Sequence, residues 1–250
     1  MSMTNGFMPI VPTTGMFKNI FAIRWKNICS NYNYGTMFVV LNDAKIVCIS
    51  AKHVLPVLIT GGEVEVLINS QWNSLEIEHI YDKDNLNYDV IGFEPKNKTQ
   101  LGSVVSYEVS DGMHNLIPGS PAMYMGYPAS WLEGSNKYLD FYSNDMAFKP
   151  GYPMPVTKQT YISYNHVIDE IPNIYLGGTA NKGFSGAPVY AYRLDSEGEA
   201  QLTLVVCGVI VSHKFDLTKV YDNNRVARDD VRSTSYADVS IAQPPSLLFT

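Results

Sequence analysis

Short β-rich runs separated by turn clusters fill this chain, and they constrain its fold more than any other feature of the sequence. Residues 36–41 and 45–49 are apolar runs on either side of Asn42-Asp43-Ala44, which indicates a hairpin. Residues 63–68 and 75–80 alternate polar and apolar side chains, as half-buried strands do. No long segment combines helical periodicity with clean caps. The pattern therefore predicts an all-β barrel or sandwich.

The remaining strand-like runs divide the chain into two halves. The polar, turn-rich stretch 94–102 is predicted to join them. Residues 216–236 are polar and mixed in charge, which predicts a surface loop or a short helix, and Pro244-Pro245 ends any helix in the final tail. Further strands are predicted over residues 89–93, 122–127, 161–167, 187–193 and 202–212, the last two flanking a hairpin tip at 195–199.

Composition and charge limit the partners of the protein. With 250 residues and 46% hydrophobic side chains, the chain is long enough to bury a sizeable core. A formal net charge of −6 disfavours nucleic-acid and anionic-membrane partners, because both reward basic patches. No apolar run is long enough to span a bilayer, and the N-terminus lacks the basic start and apolar segment of a secretory signal. We therefore expect neither a nucleic-acid nor a membrane partner.

The cysteines indicate the redox environment. Cys29, Cys48 and Cys207 are odd in number and widely spaced, and none lies in a C-x-x-C or His/Cys cluster that would suggest a metal site. We expect three free, buried thiols in a reducing compartment. Together with the missing secretory signal, this predicts a cytoplasmic protein.

The segment Gly183-Phe184-Ser185-Gly186-Ala187-Pro188 carries the strongest chemical signal in the chain. Its glycines leave the main chain bare around the Ser185 hydroxyl, so an acyl group can approach closely and flanking amides can point at its oxygen. A serine is a poor nucleophile unless it has a base and a group that orients this base. Candidates for both lie upstream, His53 in Ser50-Ala51-Lys52-His53-Val54 and Asp89 in Tyr88-Asp89-Val90-Ile91-Gly92-Phe93.

Three motifs in the order His, Asp, Ser resemble those of the chymotrypsin- and trypsin-like serine peptidases, particularly the bacterial and viral branches without disulfides. The resemblance covers roughly residues 17–215 and includes residues 119–128 (GSPAMYMGYP), which are similar to the glycine-bearing strand that opens the family's second barrel. It implies an all-β fold of two antiparallel six-stranded barrels with the active site between them. The corresponding division is an N-terminal barrel over residues 15–100 with His53 and Asp89, a C-terminal barrel over residues 101–236 with Ser185, and a tail over residues 237–250.

The resemblance also implies a role for each residue of the three motifs. Ser185 would attack the substrate carbonyl, and His53 would take its proton and return it to the leaving amine. Asp89 would fix the imidazole tautomer, and the amides of Gly183 and Ser185 would hold the oxyanion. The predicted function is a serine endopeptidase that cleaves a peptide or protein substrate through an acyl-enzyme, without metal or cofactor. Competing residues that lack the family context are Asp82, Asp84, His79, His114 and His166.

Phe184 is a departure from the family pattern. Animal trypsins have an aspartate at this position, and it pairs with the new N-terminus that zymogen cleavage creates. Phe184 cannot make that ion pair, so we expect no activation by N-terminal trimming. The oxyanion turn must then be held by other contacts or be ordered by a ligand. Two alternatives stay open: a catalytically silent binding module on the same fold, and an effector that needs an activating partner.

Four residues are candidates for the substrate pocket: Thr179, Ala180, Ser212 and His213. Thr179 stands at the position of the family's pocket base, where cleavage after Arg or Lys needs an acid, so we expect no such cleavage. His213 with a nearby threonine is similar to the glutamyl endopeptidases and viral 3C-type proteases, which bind a Glu or Gln side chain. However, the family's threonine stands where this chain has Ala180. The competing interpretation of His213 is a partly exposed residue at a strand end.

Overall fold

The protein is described from a computed structural model. The described residues are 10–56, 58, 62–69, 71–85, 87–102, 107–110, 116–132, 154–178, 180, 182–194, 202–221 and 227–249, without the side chains of residues 130–131, 194, 202, 213–221 and 227–238.

The first half of the chain forms one antiparallel sheet. A short helix, α1 (Thr14–Lys18), precedes it, and Thr13 caps this helix with its hydroxyl. Seven strands follow one another along the sheet in the order β5-β4-β1-β2-β3-β7-β6. Their bounds are β1 (Ile20–Lys26), β2 (Tyr32–Asn42), β3 (Lys45–Ala51), β4 (Val64–Ile68), β5 (Gln71–Leu75), β6 (Ile77–Asp82) and β7 (Val90–Pro95).

The connection between β5 and β6 shows that this sheet is strongly curled. The two strands lie at opposite edges of the sheet, yet only Glu76 separates them along the chain. Because one residue spans only about 3.3 Å, the two edges must come close together there. The Lys96 N–H also donates to the Glu76 carbonyl oxygen at 2.9 Å. The sheet is therefore a half-barrel, and its core cluster also includes Met123, Tyr190 and Val206 of the second half.

The second half forms a closed six-stranded barrel. Its strands follow one another in the order β10-β13-β12-β11-β8-β9, and every neighbouring pair is antiparallel. A one-turn helix, α2 (Ala129–Leu132), follows β8 in the chain. The bounds are β8 (Pro121–Gly126), β9 (Val156–Ile168), β10 (Ile171–Gly177), β11 (Pro188–Leu194), β12 (Leu202–Tyr221) and β13 (Ala227–Gln243).

This architecture confirms the predicted all-β class with two barrel-like halves. The helices α1 and α2 have only five and four residues. One detail of the prediction differs, since within the described residues the first half is an open, curled sheet of seven strands and not a closed six-stranded barrel. The run 75–80, predicted as one strand, is interrupted at Glu76, and this break creates the additional strand.

The prediction of a loop or short helix over residues 216–236 is wrong for residues 216–221 and 227–236, and residues 222–226 lie outside the described residues. Strand β12 continues to Tyr221, and β13 begins at Ala227 and pairs with it. Such a hairpin ribbon is held by main-chain hydrogen bonds, which need no alternating apolar face, so a polar sequence gives no strand signal. Residues 237–243, which the sequence places in a tail, form the end of β13. The predicted hairpin tip at 195–199 lies outside the described residues.

The end of the chain crosses back to the first sheet. After β13, a 3-10 turn over Pro245–Phe249 packs against β6 and β7, with the Phe249 ring edge-on to Tyr81 at 5.8 Å between centroids. The Tyr88 hydroxyl donates to the Pro244 carbonyl oxygen at 2.8 Å. The last strand and the segment after it thus join the two halves next to the start of β7.

The cysteine prediction is confirmed in part. All three thiols are free, and Cys48 and Cys207 are buried, whereas Cys29 is exposed. Burial raises the pKa of the Cys207 thiol to about 12, because a thiolate would lose its hydration there. In the described part of the chain, no helix has the length and apolar character needed to cross a membrane.

Candidate active site

Strand register brings His53 and Asp89 together. Strand β3 ends at Ala51, which pairs with Val90 at the start of β7, so the residues just beyond these two ends are neighbours. The His53 Nδ1 and Asp89 Oδ2 atoms are 2.5 Å apart. The His53 N–H donates to Asp89 Oδ1 at 2.8 Å. Each carboxylate oxygen thus has a partner on the histidine, which sets both the backbone and the ring of His53 relative to Asp89.

This contact determines the chemistry of the imidazole. A carboxylate can only accept hydrogen bonds, so the His53 Nδ1 atom carries the proton. The Nε2 atom of a neutral ring then keeps its lone pair and can accept a proton. The His53 side chain is 47% exposed. The arrangement can act as a general base.

Ser185 lies in a tight loop that packs against β2 and against the end of β3, the strand that precedes His53. The Thr36 N–H of β2 donates to the Ser185 carbonyl oxygen at 3.0 Å. Gly186 has a φ of +87°, and a Cβ placed there would lie 2.0 Å from the Thr36 oxygen and 2.3 Å from Ser50 Oγ. Ser50 precedes His53 by three residues. The serine loop therefore touches the end of β3 directly, which only a glycine permits.

The Ser185 hydroxyl and the His53 ring are not joined in this structure. No hydrogen bond between them is present in the described residues, and Ser185 is partly exposed. In proteins without bound substrate, hydrogen bonds between catalytic groups are often long and shorten only in the substrate complex. The structure thus places the serine loop against the end of β3, three residues before His53.

Gly183 shapes the other side of the loop. Its φ is +98°, and a Cβ there would lie 2.3 Å from the Tyr127 oxygen and 2.4 Å from the Ala129 nitrogen. Among the described residues, neither the Gly183 N–H nor the Ser185 N–H has an acceptor. Within these residues, both N–H groups thus keep their capacity to donate a hydrogen bond.

Thr36 links the serine loop to the first sheet, and the sequence analysis missed it. This fully buried residue donates from Oγ1 to the Gly183 carbonyl oxygen at 2.8 Å and accepts from the Tyr127 N–H at 3.0 Å. Its carbonyl oxygen accepts from Ser50 Oγ at 2.7 Å. Gly183 is 147 residues away in sequence, so no local pattern marks Thr36 as a contact of the loop.

Replacing Thr36 by valine should destabilise the serine loop. Valine keeps the shape of threonine but removes the hydroxyl, which leaves the Gly183 carbonyl and the Tyr127 N–H unpaired inside the protein. Each orphaned group costs about 1–3 kcal/mol. Chemical denaturation should show a lower free energy of unfolding for Thr36→Val and a near-native value for Thr36→Ser, which keeps the hydroxyl. Equal stability of the two variants would contradict the role assigned to the hydroxyl.

Phe184 is an apolar anchor for the same loop. Its side chain is fully buried, and its ring packs edge-on against Tyr124 at 5.6 Å between centroids. The Lys158 ammonium lies 5.3 Å from the ring centroid, and burial lowers the pKa of this lysine below its ordinary value. Packing of an aromatic ring therefore anchors the serine loop.

Three of the four candidate pocket residues lie near Ser240. The Ala180 N–H donates to Ser240 Oγ, and this hydroxyl donates to the Gly178 carbonyl oxygen, both at 2.8 Å. His213 is the register partner of Ser240 across β12 and β13, and its neighbour Ser212 is exposed. Ala180, Ser212 and His213 thus come together near Ser240. Thr179 lies outside the described residues, as does the side chain of His213.

The competing residues lie elsewhere or have other partners. Asp82 forms an ion pair with Lys52 at 2.7 Å. His79 packs edge-on against Tyr81, and His166 stacks on Tyr164, so each is engaged with an aromatic ring. No contact joins Asp84 to His53 in the described part of the chain, and His114 lies outside it. Within that same part, no three His, Cys, Asp or Glu residues are grouped in a way that could hold a metal ion.

Similar chains occur among solved structures. No family model matches the chain, and no curated protein matches it. The crystal structure of the Rv3671c protease from M. tuberculosis in its active form is similar over 82% of this chain and 87% of that chain, with 14% sequence identity and a TM-score of 0.46.

Proposed function

We propose that the protein is a serine endopeptidase that hydrolyses peptide bonds with His53, Asp89 and Ser185 as its catalytic triad. The observation that carries this proposal is the paired contact of Asp89 with the ring and the backbone of His53, together with a glycine-lined serine loop that packs against the end of the strand just before His53. A structural histidine needs no serine loop beside it, and a Gly-rich turn needs no oriented base.

Each group has a defined part in the reaction. The Ser185 hydroxyl gives its proton to His53 Nε2 while its oxygen bonds to the substrate carbonyl carbon. The carbonyl oxygen becomes an oxyanion and is held by the N–H groups of Gly183 and Ser185. The C–N bond then breaks, and the leaving amine takes the proton from Nε2. A water molecule repeats the sequence on the acyl-enzyme and releases the acid, while Asp89 stabilises the imidazolium each time.

A second candidate is a binding or effector module that is silent until a partner orders the site. The observation in its favour is the missing hydrogen bond between the Ser185 hydroxyl and the His53 ring within the described residues. In that case the same residues are present, but a partner must bring the hydroxyl to the ring. The substrate pocket residues Thr179, Ala180, Ser212 and His213 would be used in either case.

A digest of a peptide library by the purified chain separates these functions. We expect new peptide ends, detected by mass spectrometry, in the wild type and none in His53→Ala. The residue before each cut should not be Arg or Lys, because the proposed pocket offers no acid, and Glu or Gln is the expected preference. A library left intact by the isolated wild type favours the silent or partner-activated module. Cleavage after Arg or Lys would refute the proposed specificity.

Removal of residues 1–14 should lower stability and should not switch activity on. Ile10 is buried at 1% exposure, and its carbonyl oxygen accepts from Gln159 Nε2 at 2.6 Å, so the N-terminal segment is part of the folded core. Loss of a buried isoleucine side chain alone costs about 2–5 kcal/mol. Calorimetry and peptide hydrolysis of the trimmed and full-length chains test this. A trimmed chain that is active while the full-length chain is silent would show that Phe184 does not exclude activation by trimming.

A further inference from the structure

Gln243, the last residue of β13, reaches from the second barrel to the segment that carries Asp89. The residue is 5% exposed, and its side-chain amide makes three hydrogen bonds. Its Oε1 atom accepts from the Asp89 N–H at 2.7 Å. Its Nε2 atom donates to the Asn87 carbonyl oxygen at 2.8 Å and to Asn173 Oδ1 at 3.1 Å. One side chain thus holds the main chain on both sides of Tyr88.

Gln243 supplies the last of the hydrogen bonds that hold Asp89 in place. Its side chain is held by His53 through both carboxylate oxygens, and its carbonyl oxygen accepts from the Lys52 N–H at 2.8 Å. Only the Asp89 N–H remains, and Gln243 supplies its acceptor. The contacts with His53 and Lys52 all come from the first sheet, whereas the contact with Gln243 comes from the last strand of the second barrel.

The neighbouring residue strengthens the same attachment. The ring of Tyr88 is 1% exposed, and its hydroxyl donates to the Pro244 carbonyl oxygen. Gln243 and Pro244 therefore bind three consecutive residues, from Asn87 to Asp89. A buried amide without hydrogen-bond partners is strongly unfavourable, so the Gln243 side chain stays in this position only while the segment does.

We propose that Gln243 is a positioning residue for the triad, which holds Asp89 in register with His53 and so couples the closure of the second barrel to the geometry of the catalytic base. This inference rests on the proposed peptidase function. Its structural part, the dependence of the His53–Asp89 hydrogen bond on Gln243, can be measured without any substrate.

The chemistry of the amide explains why a glutamine stands here. The Asp89 N–H needs an acceptor, and the Asn87 carbonyl needs a donor, and a primary amide offers one of each. A glutamate could still accept from the Asp89 N–H but could not donate to Asn87 or Asn173. A methionine would fill the space and make none of the three bonds. Gln243→Glu thus removes the two donated hydrogen bonds, and Gln243→Met removes all three.

The test compares Gln243→Met and Gln243→Glu with Gln159→Met. The last is a matched control, because Gln159 also donates from its amide across the fold, but to Ile10 and not to the site. Three quantities are measured: kcat and KM for a peptide substrate, the hydrogen exchange rate of the Asp89 N–H, and the low-field proton resonance of the His53 Nδ1–H···Asp89 bond.

For Gln243→Met we expect kcat to fall on the order of 10²-fold with KM unchanged, because the base is displaced while the pocket is intact. The Asp89 N–H should exchange faster, and the low-field resonance should disappear. Gln243→Glu should keep protection of the Asp89 N–H and lose less of kcat, and Gln159→Met should keep all three quantities.

The proposal is overturned if Gln243→Met keeps kcat and the low-field resonance, or if Gln159→Met loses them equally. Should Gln243→Met fail to fold, Gln243→Ala is measured in its place, and wild-type kcat and resonance in that variant overturn the proposal as well. A wild type without hydrolysis but with the low-field resonance, which Gln243→Met abolishes, would refute the peptidase function and leave the positioning role standing.

Discussion

Replacement of Ser185 by alanine should abolish peptide hydrolysis while leaving the fold unchanged. The loss expected for a triad nucleophile is roughly 10⁶-fold in kcat, and His53→Ala should lose a similar amount, because the two residues act as a unit. The Ser185 hydroxyl makes no hydrogen bond within the described residues, so its removal orphans no partner there. Thermal unfolding should therefore give the wild-type midpoint.

Ser163→Ala is a suitable control for this variant, since it removes a hydroxyl from an exposed position on β9. Its kcat should equal that of the wild type. Hydrolysis by purified Ser185→Ala at the wild-type rate would eliminate Ser185 as the nucleophile. A combined loss of activity and of the cooperative unfolding transition would show that the residue is structural.

Gly186→Ala should cost both stability and activity. The glycine has a φ of +87°, which is unfavourable for alanine by about 1–2 kcal/mol. Its new methyl group would also lie 2.0 Å from the Thr36 carbonyl oxygen, so the serine loop has to move away from β2. Overpacking of this kind adds about 1–3 kcal/mol, and a displacement near 1 Å lowers turnover on the order of 10²-fold.

The control Gly119→Ala separates the cost of a positive φ from the cost of overpacking. Gly119 has nearly the same φ, +88°, but no atom lies within 4 Å of a Cβ placed there. This control should show only the conformational cost in chemical denaturation and keep the wild-type kcat. If Gly186→Ala were no less stable and no less active than Gly119→Ala, the close packing of the serine loop against Thr36 and Ser50 would be disproved.

Local patterns in the sequence predict those parts of the structure that depend on alternation and on short turns. The hairpin of β2 and β3 is one case, because Asp43 and Ala44 both have positive φ between two apolar runs. Strand β7 is another, since all of its residues are buried and all except Glu94 are apolar. In contrast, the polar ribbon formed by β12 and β13 beyond His213 gave no such signal, since hairpin pairing does not require an apolar face.

The candidate site also contains residues that the sequence predicts and residues that it does not. His53, Asp89 and Ser185 stand in motifs that are visible in the sequence, and strand register accounts for the approach of the first two. Thr36 and Gln243 carry no motif, and their partners Gly183 and Asp89 lie 147 and 154 residues away. Their contacts depend on how the two halves pack, which a single sequence does not encode in any local pattern.

Covalent labelling by a fluorophosphonate, with the modified residue located by mass spectrometry, tests the central claim most directly. A triad with an activated nucleophile predicts one phosphonate per native chain, attached to Ser185, and no labelling in Ser185→Ala, in His53→Ala or in the unfolded wild type. Labelling of another residue, or undiminished labelling of Ser185→Ala, would contradict the claim. A native chain that takes up no label would show that its Ser185 hydroxyl is not activated.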